Sequence, residues 1–180
     1  MEKILYKFRG QPAQLPVTLR RCTPAEAPQV YALQNEVRAA MPHPEWFVPD
    51  TLEHITDFIT NSLCIGVWQE ERLAAYLTFR FCGGQPDNYA AFLGVPPEEW
   101  CHWGNADSAV VHPDFRGNGL QRAMLEAALP LLPAEITHLG ATVCPDNPYS
   151  LRNARAGGFE IRARREMYGG FDRYLLVKEL

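Results

Sequence analysis

The sequence predicts a single domain of the α/β or α+β class. Apolar runs of strand length and amphipathic stretches of helical spacing follow one another in a mixed order, β-α-α-β-β-β-α-β-α-β-β. A length of 180 residues suits one core, and a domain of that size buries roughly 70% of the surface its unfolded chain exposes. Hydrophobic residues make up 47% of the chain, enough for such a core and too many for disorder.

The elements read as follows. Residues 1–15 form a lead-in, strand-like at Ile4–Phe8, and residues 17–23 (VTLRRCT) alternate apolar and polar as a strand does. Thr23, Pro24 and Glu26 carry a helix-start signature, and Ala27, Val30, Leu33 and Val37 continue that helix to about Ala40. The proline-rich stretch 41–50 is irregular. Asp50 or Thr51 then caps a second helix with Leu52, Ile55, Phe58 and Ile59 on one face. Residues 63–81 hold two apolar runs around Gln69–Arg72, a β-hairpin. Residues 82–103, with three prolines, three glycines and four aromatics, read as an irregular loop, and loops of that length are commonly functional. A strand near 105–111, a glycine turn, a helix from about 117 to 128 and a strand at 138–144 come next. A short helix within 145–159, ending at Gly157–Gly158, and strands near 160–168 and 173–178 complete the order.

Charge and composition exclude several functions. The net charge is −4 and no Lys/Arg block supplies the basic face that nucleic-acid binding needs. Five cysteines without a C-x-x-C pair offer neither a disulfide framework nor a zinc site, and His43, His54, His102 and His138 show no ligand spacing, so no metal is expected. No run approaches the ~20 apolar residues of a membrane span, and the first ten residues lack a signal-peptide core. The expectation is a cytoplasmic protein with neither membrane nor nucleic acid as partner.

The chemistry gathers at residues 110–124, VVHPDFRGNGLQRAM. An apolar strand runs into Arg116-Gly117-Asn118-Gly119, and an amphipathic helix follows with Leu120, Met124 and Ala127 on one face. Glycine lets the backbone approach a ligand and adopt positive φ, and a helix N-terminus presents unpaired N–H groups, so the pattern suits a phosphate or pyrophosphate. The Walker loop is absent, and the dinucleotide fingerprint fails because position 122 is Arg rather than Gly.

In context, V-H-P-D-F-R-G-N-G-L followed one strand later by P-D-N-P-Y-S-L-R-N and Gly158-Phe159 resembles the GCN5-related N-acetyltransferase (GNAT) superfamily. Its pyrophosphate loop, [Q/R]-x-x-G-x-[G/A], lies over Arg116, Gly117, Asn118, Gly119, Leu120 and Gln121, with Gln121 departing from the usual small last residue and therefore expected to turn outward. The second landmark matches Asn147, Ser150, Gly158 and Phe159, and the Tyr168-Gly169-Gly170-Phe171-Asp172-Arg173 tail matches a bacterial subgroup. The resemblance implies a mixed, mostly antiparallel sheet with a splayed parallel pair and flanking helices, in one acetyltransferase domain over 1–180. It implies acetyl-CoA as donor, with pantetheine on the backbone of Ala109, Val110 and Val111. Pyrophosphate would lie on the N–H groups of Arg116 through Gln121, and Asn147, Ser150 and Asn153 would meet the pantetheine arm. An N–H near Asp107 or Ser108 would polarise the thioester carbonyl.

The implied reaction is direct attack of a primary amine, of a small molecule or peptide, on the thioester in a ternary complex. An amine of pKa roughly 10.4 is mostly protonated at neutral pH, so a base must take its proton. Asp107 is the first candidate, with Glu36 and Glu99 weaker. Many members of the superfamily place a tyrosine seven residues after the helix asparagine to protonate the thiolate, but here that residue is Ala154. Tyr149, Ser150, Tyr168 or water could take the role. The first two helices and the variable 82–103 loop are expected to form the acceptor pocket, with Tyr89, Phe92, Trp100 and Trp103 as walls and Asp87, Glu98 and Glu99 attracting an ammonium group. The missing tyrosine leaves a non-catalytic acyl-CoA-binding or regulatory domain as the rival reading. A monomer and a homodimer both fit the resemblance.

Overall fold

The computed structural model describes residues 1–180. Eight strands run through it: β1 (Glu2–Phe8), β2 (Gln11–Arg21), β3 (Leu63–Gln69), β4 (Arg72–Arg80), β5 (Trp103–Val111), β6 (His138–Val143), β7 (Glu160–Met167) and β8 (Phe171–Glu179). Five α-helices connect them: α1 (Ala27–Ala39), α2 (Leu52–Asn61), α3 (Tyr89–Phe92), α4 (Leu120–Ala128) and α5 (Pro148–Ala156). The strands are hydrogen-bonded in the order β1-β2-β3-β4-β5-β6-β8-β7. The sheet is mixed and mostly antiparallel, and its parallel pair is β5 with β6. No helix is long and apolar enough to cross a membrane.

The chain divides into two compact units, with the divisions falling inside β4 and β5. The first holds residues 1–42, 49–78 and 108–131. Its lead-in, expected to be strand-like only at Ile4–Phe8, is a complete antiparallel hairpin of β1 and β2. Arg9 and Gly10 both adopt positive φ, the two-residue turn whose twist matches paired strands. Two prolines stand among the first six residues of β2. Pro12 and Pro16 are tolerated because β3 pairs only with Thr18–Arg21, leaving the proline-bearing part bonded to β1 alone. The fully buried Leu5, Leu19, Ile55, Ile59, Ile65 and Met124 supply the core of this unit.

Helix entry in this unit follows local rules. The Thr23 backbone N–H donates to Glu26 Oε2 at 2.7 Å, while Arg20 Nη1 donates to the same oxygen at 3.0 Å. The hydrogen bond from Arg20, opposed by desolvation and aided by the Thr23 amide, holds the Glu26 carboxyl down at about 2, against an ordinary 4.5. Glu26 therefore stabilises the fold in full above about pH 4.5, and the contribution disappears as pH falls through about 2. Thermal melting should show Glu26→Gln less stable than the parent at pH 7, with the difference closing towards pH 2. A constant difference across that range would remove the charge from the account. For α2, Thr51 rather than Asp50 is the cap: its Oγ1 accepts from the His54 N–H at 3.2 Å.

The second unit holds residues 43–48, 79–107 and 132–180. Here β5 and β6 pair in parallel from Trp103–His138 only as far as Ala106–Ala141, although β5 runs on to Val111. The last residues of β6, Thr142 and Val143, pair with Leu175 and Tyr174 of β8. The 82–103 segment is not wholly irregular. Asn88 caps the short helix α3, accepting from the Ala90 N–H at 3.1 Å, and residues 97–102 form a 3-10 turn. The Asn88 Nδ2 donates to the carbonyls of Gly83 and Trp100, tying the ends of the segment together. Local side-chain-to-backbone bonds of this kind are invisible to periodicity, which is why the segment looked structureless.

Candidate functional site

The anion-binding features lie in the first unit. His112 at the end of β5 leads through a 3-10 turn at 113–115 into Arg116–Gly119. Gly117 has φ +82° and Gly119 φ +66°, left-handed conformations that L-residues adopt only at a cost. Gly119 is the N-cap of α4, and because of its conformation the helix begins at Leu120, three residues later than expected. The first main-chain bond of α4 runs from Ala123 N to Gly119 O at 3.0 Å, so the amides of Leu120, Gln121 and Arg122 precede the intrahelical ladder. These donors at the positive end of a nine-residue helix fit a pyrophosphate.

The other residues matched to the loop play different parts. The Arg116 N–H is already donated to Pro113 O at 3.3 Å, which removes it from the expected set of anion donors. The side chain of Leu120 is buried in the core. Gln121 turns away from the loop and donates through Nε2 to the Ala109 carbonyl at 3.4 Å. Of the β5 residues expected to meet pantetheine, Ala109 is exposed, Val110 buried and Val111 half-buried. The Ser108 N–H is donated to Thr78 Oγ1 at 3.1 Å, so it is not an available donor for a thioester oxygen. Glu36, a weaker candidate for the base, is paired with His112 Nε2 at 2.9 Å, while His112 Nδ1 accepts from the Asp114 N–H.

The acid–base groups gather in the second unit. Asp107 on β5 receives the Tyr89 hydroxyl on Oδ1 at 2.6 Å and faces Arg80 Nε through Oδ2 at 3.1 Å. Tyr89 Oη lies 2.6 Å from Tyr168 Oη, which lies 2.9 Å from Thr142 Oγ1. The direction of every hydrogen follows from the carboxylate, which can only accept. Tyr89 gives its proton to Asp107, so Tyr168 must donate to Tyr89 and Thr142 to Tyr168. Burial first, and the charge of Asp107 second, raise both phenols above their ordinary value, so both stay protonated at neutral pH.

The backbone explains how the chain is built. The backbone N–H of Tyr89 donates to Asn105 Oδ1 at 3.0 Å. A Cβ at Gly140 of β6 would stand 2.9 Å from the Tyr89 Cβ, so glycine makes room for the tyrosine. Tyr168 has φ +54°, and a bulky residue in the left-handed region is an outlier of the kind concentrated at functional sites. Asp107 itself is nearly enclosed, its side chain 12% exposed with both oxygens occupied, whereas Tyr168 is 41% exposed.

Two expected pocket walls are corrected. Tyr89 is buried among Met167 and Leu175, so its ring is core and only its hydroxyl is chemical. Trp103 is 7% exposed, packs on Ala90 and Val177, and stacks on His138 with centroids 4.7 Å apart. Both aromatics were placed by their loop, but the short helix and strand that form there turn them inward. Trp103→Ala should cost about 3–5 kcal/mol of folding stability in denaturant unfolding, as truncating a buried tryptophan does. A rise in acceptor KM at unchanged stability would restore Trp103 to the pocket. Glu99, in the 3-10 turn, is exposed. Asn147 caps α5, its Oδ1 accepting from the Ser150 N–H at 3.0 Å. Asn153 is exposed, and Tyr149 stands exposed in the first turn of α5 with Arg152 5.7 Å over its ring.

The sequence reading missed the link from Tyr89 to Asp107 and Tyr168. The partners lie 18 and 79 residues apart, and no spacing rule signals such a contact.

A sequence profile of the acetyltransferase (GNAT) family matches residues 30–159. No curated protein matches the chain. Among solved structures, a GNAT-family acetyltransferase from Streptococcus pneumoniae is 19% identical with a TM-score of 0.69, covering 91% of this chain and 99% of its own. Ard1 from Thermoplasma volcanium is 15% identical with a TM-score of 0.68, over 91% and 97% of the two chains. The aminoglycoside acetyltransferase AAC(6')-Ib, solved with coenzyme A and kanamycin, is 18% identical with a TM-score of 0.65, over 91% and 94%. At these identities the likeness carries the fold.

Proposed function

Because the chain belongs to the GNAT acetyltransferase family, we propose that it is an acetyl-CoA-dependent N-acetyltransferase acting on a primary amine of a small molecule or peptide. Acetyl-CoA is the family's usual donor, and the residues present suit it. The amides of Leu120–Arg122, opened by the left-handed Gly117 and Gly119, would receive the pyrophosphate. Asn147 and Ser150 at the start of α5 are the candidates for the pantetheine arm.

The observation that carries the catalytic reading is the hydroxyl chain Thr142–Tyr168–Tyr89–Asp107. Its protons point toward Asp107, so the chain is set to move a proton inward. The acceptor amine gives a proton to Tyr168 Oη, Tyr168 passes its own to Tyr89, and Tyr89 passes its own to Asp107. The freed nitrogen lone pair forms the N–C bond at the thioester carbonyl, the C–S bond breaks with its electrons leaving on sulfur as thiolate, and the second proton shed by the acylated nitrogen passes to solvent. Aligned hydrogen bonds polarise one another, which makes the Tyr168 oxygen a better acceptor than an isolated phenol. Asp107 thus acts from the end of a relay, and Tyr168 is the group that meets the amine. Tyr149 is the candidate donor for the thiolate, in place of the residue absent at Ala154.

A free-thiol release assay with acetyl-CoA over a panel of primary amines tests the reading. Thiol release that depends on both substrates is the expected result. Calorimetric binding of acetyl-CoA with no release on any amine would favour the non-catalytic acyl-CoA-binding domain.

A further inference from the structure

The strand that sequence reading treated as a lead-in is fastened to the phosphate loop. The pairing of β1 with β2 slips between Leu5 and Lys7, where Tyr6 stands opposite two residues of β2, Ala13 and Gln14, and the ladder is locally interrupted. Two successive N–H groups there meet a single acceptor: the Tyr6 and Lys7 amides donate to Asn118 Oδ1 at 3.0 and 3.1 Å. Asn118 Nδ2 donates in return to the carbonyls of Lys7 at 2.8 Å and Phe115 at 2.9 Å. That exhausts the hydrogen-bonding capacity of the side chain. The register partner of Lys7 is Pro12, which has no N–H to offer, so the main-chain polar groups of Lys7 serve the loop instead. Two further contacts continue the seam, with Arg9 N donating to Asp114 O at 2.7 Å and the Phe8 ring lying edge-on to Phe115 at 5.2 Å.

The same register sends the Lys7 side chain over the loop. A Cβ at Gly117 would stand 3.4 Å from Lys7 Cδ, so the aliphatic stem crosses the left-handed glycine. Lys7 is exposed and its ammonium takes part in none of the ion pairs. Of the nearby cations, Arg9 and Arg72 are committed to Asp114 and Arg122 to Glu126, which leaves Lys7 and the loop's own Arg116 outside the ion pairs.

We infer that β1 is a working part of the donor site: Lys7 supplies a cation to a phosphate of coenzyme A, and Asn118 is a positioning residue that holds the loop on β1. The inference rests on acetyl-CoA being the donor. The ligand chemistry is a phosphate group, either the pyrophosphate or the 3′-phosphate of the nucleotide.

The test is calorimetric titration of the full chain, its Lys7→Met variant and its Asn118→Ala variant with CoA, dephospho-CoA and pantetheine. Lys7→Met should bind CoA about two- to fivefold more weakly at low salt, with pantetheine affinity unchanged. If dephospho-CoA shows the same loss, the cation serves the pyrophosphate; if its loss disappears, the cation serves the 3′-phosphate. Asn118→Ala should raise acetyl-CoA KM while kcat and acceptor KM hold, with Asn118→Asp intermediate because it keeps the acceptor and loses the donors. Equal CoA affinity in Lys7→Met and the parent, or equal weakening of pantetheine, overturns the role of Lys7. Unchanged acetyl-CoA KM in Asn118→Ala overturns that of Asn118. A parent protein that binds no CoA overturns the donor assignment itself, and is told apart by that control.

Discussion

Tyr168→Phe should lower kcat for acetyl transfer on the order of 10²-fold or more, the scale of a lost proton-transfer group, with little change in acetyl-CoA KM. The substitution keeps the ring and removes only the oxygen that accepts from Thr142 and donates to Tyr89. Tyr89→Phe cuts the same chain one step further in and leaves Asp107 Oδ1 without its phenol donor. It should lower kcat as well and, because a buried carboxylate oxygen loses a partner, destabilise the fold by about 1–3 kcal/mol. The pair separates chemistry from packing. Initial rates at saturating acetyl-CoA, with thermal melting of each variant, provide the measurement. A Tyr168→Phe protein with unchanged kcat would take the hydroxyl chain out of the reaction.

Gly119→Val is the second large effect, and it acts on the donor. A Cβ at Gly119 meets nothing within 4 Å, so space is not the obstacle. The obstacle is φ +66°, which a β-branched residue adopts only under strain. Strain of about 1–3 kcal/mol, expressed on the conformation that aims the α4 amides, corresponds to about five- to 140-fold weaker CoA binding at about 1.4 kcal/mol per tenfold. Calorimetric titration should show that loss, with the amine dependence of the reaction preserved at saturating donor. An unchanged CoA dissociation constant would mean the loop does not hold the nucleotide.

These two predictions differ in how much of their basis could be read before the structure. The glycine loop is local. Arg116–Gly119 lie between a strand and an amphipathic helix, and positive φ, a helix N-terminus and unpaired amides follow from short-range geometry. The hydroxyl chain is not local. Asp107, Tyr89 and Tyr168 were each noticed for separate reasons, but their contact depends on Gly140 leaving room for one tyrosine and a left-handed backbone placing the other. The same contrast holds for the 82–103 segment, where Asn88 builds structure through side-chain bonds that carry no hydrophobic period.

By itself the sequence determined the order of strands and helices apart from β1 and the short α3, together with the family resemblance and the donor it implies, because each rests on spacing within a few tens of residues. The tertiary structure alone decided which way the aromatics face, that Asp107 lies behind two phenols, and that Asn118 holds the loop to β1 across 111 residues of chain. The physical reason is range. Periodicity and capping act within a turn or two of backbone, whereas a buried hydroxyl or amide takes whichever partner the packed chain brings to it, under the requirement that no buried polar group be left unpaired.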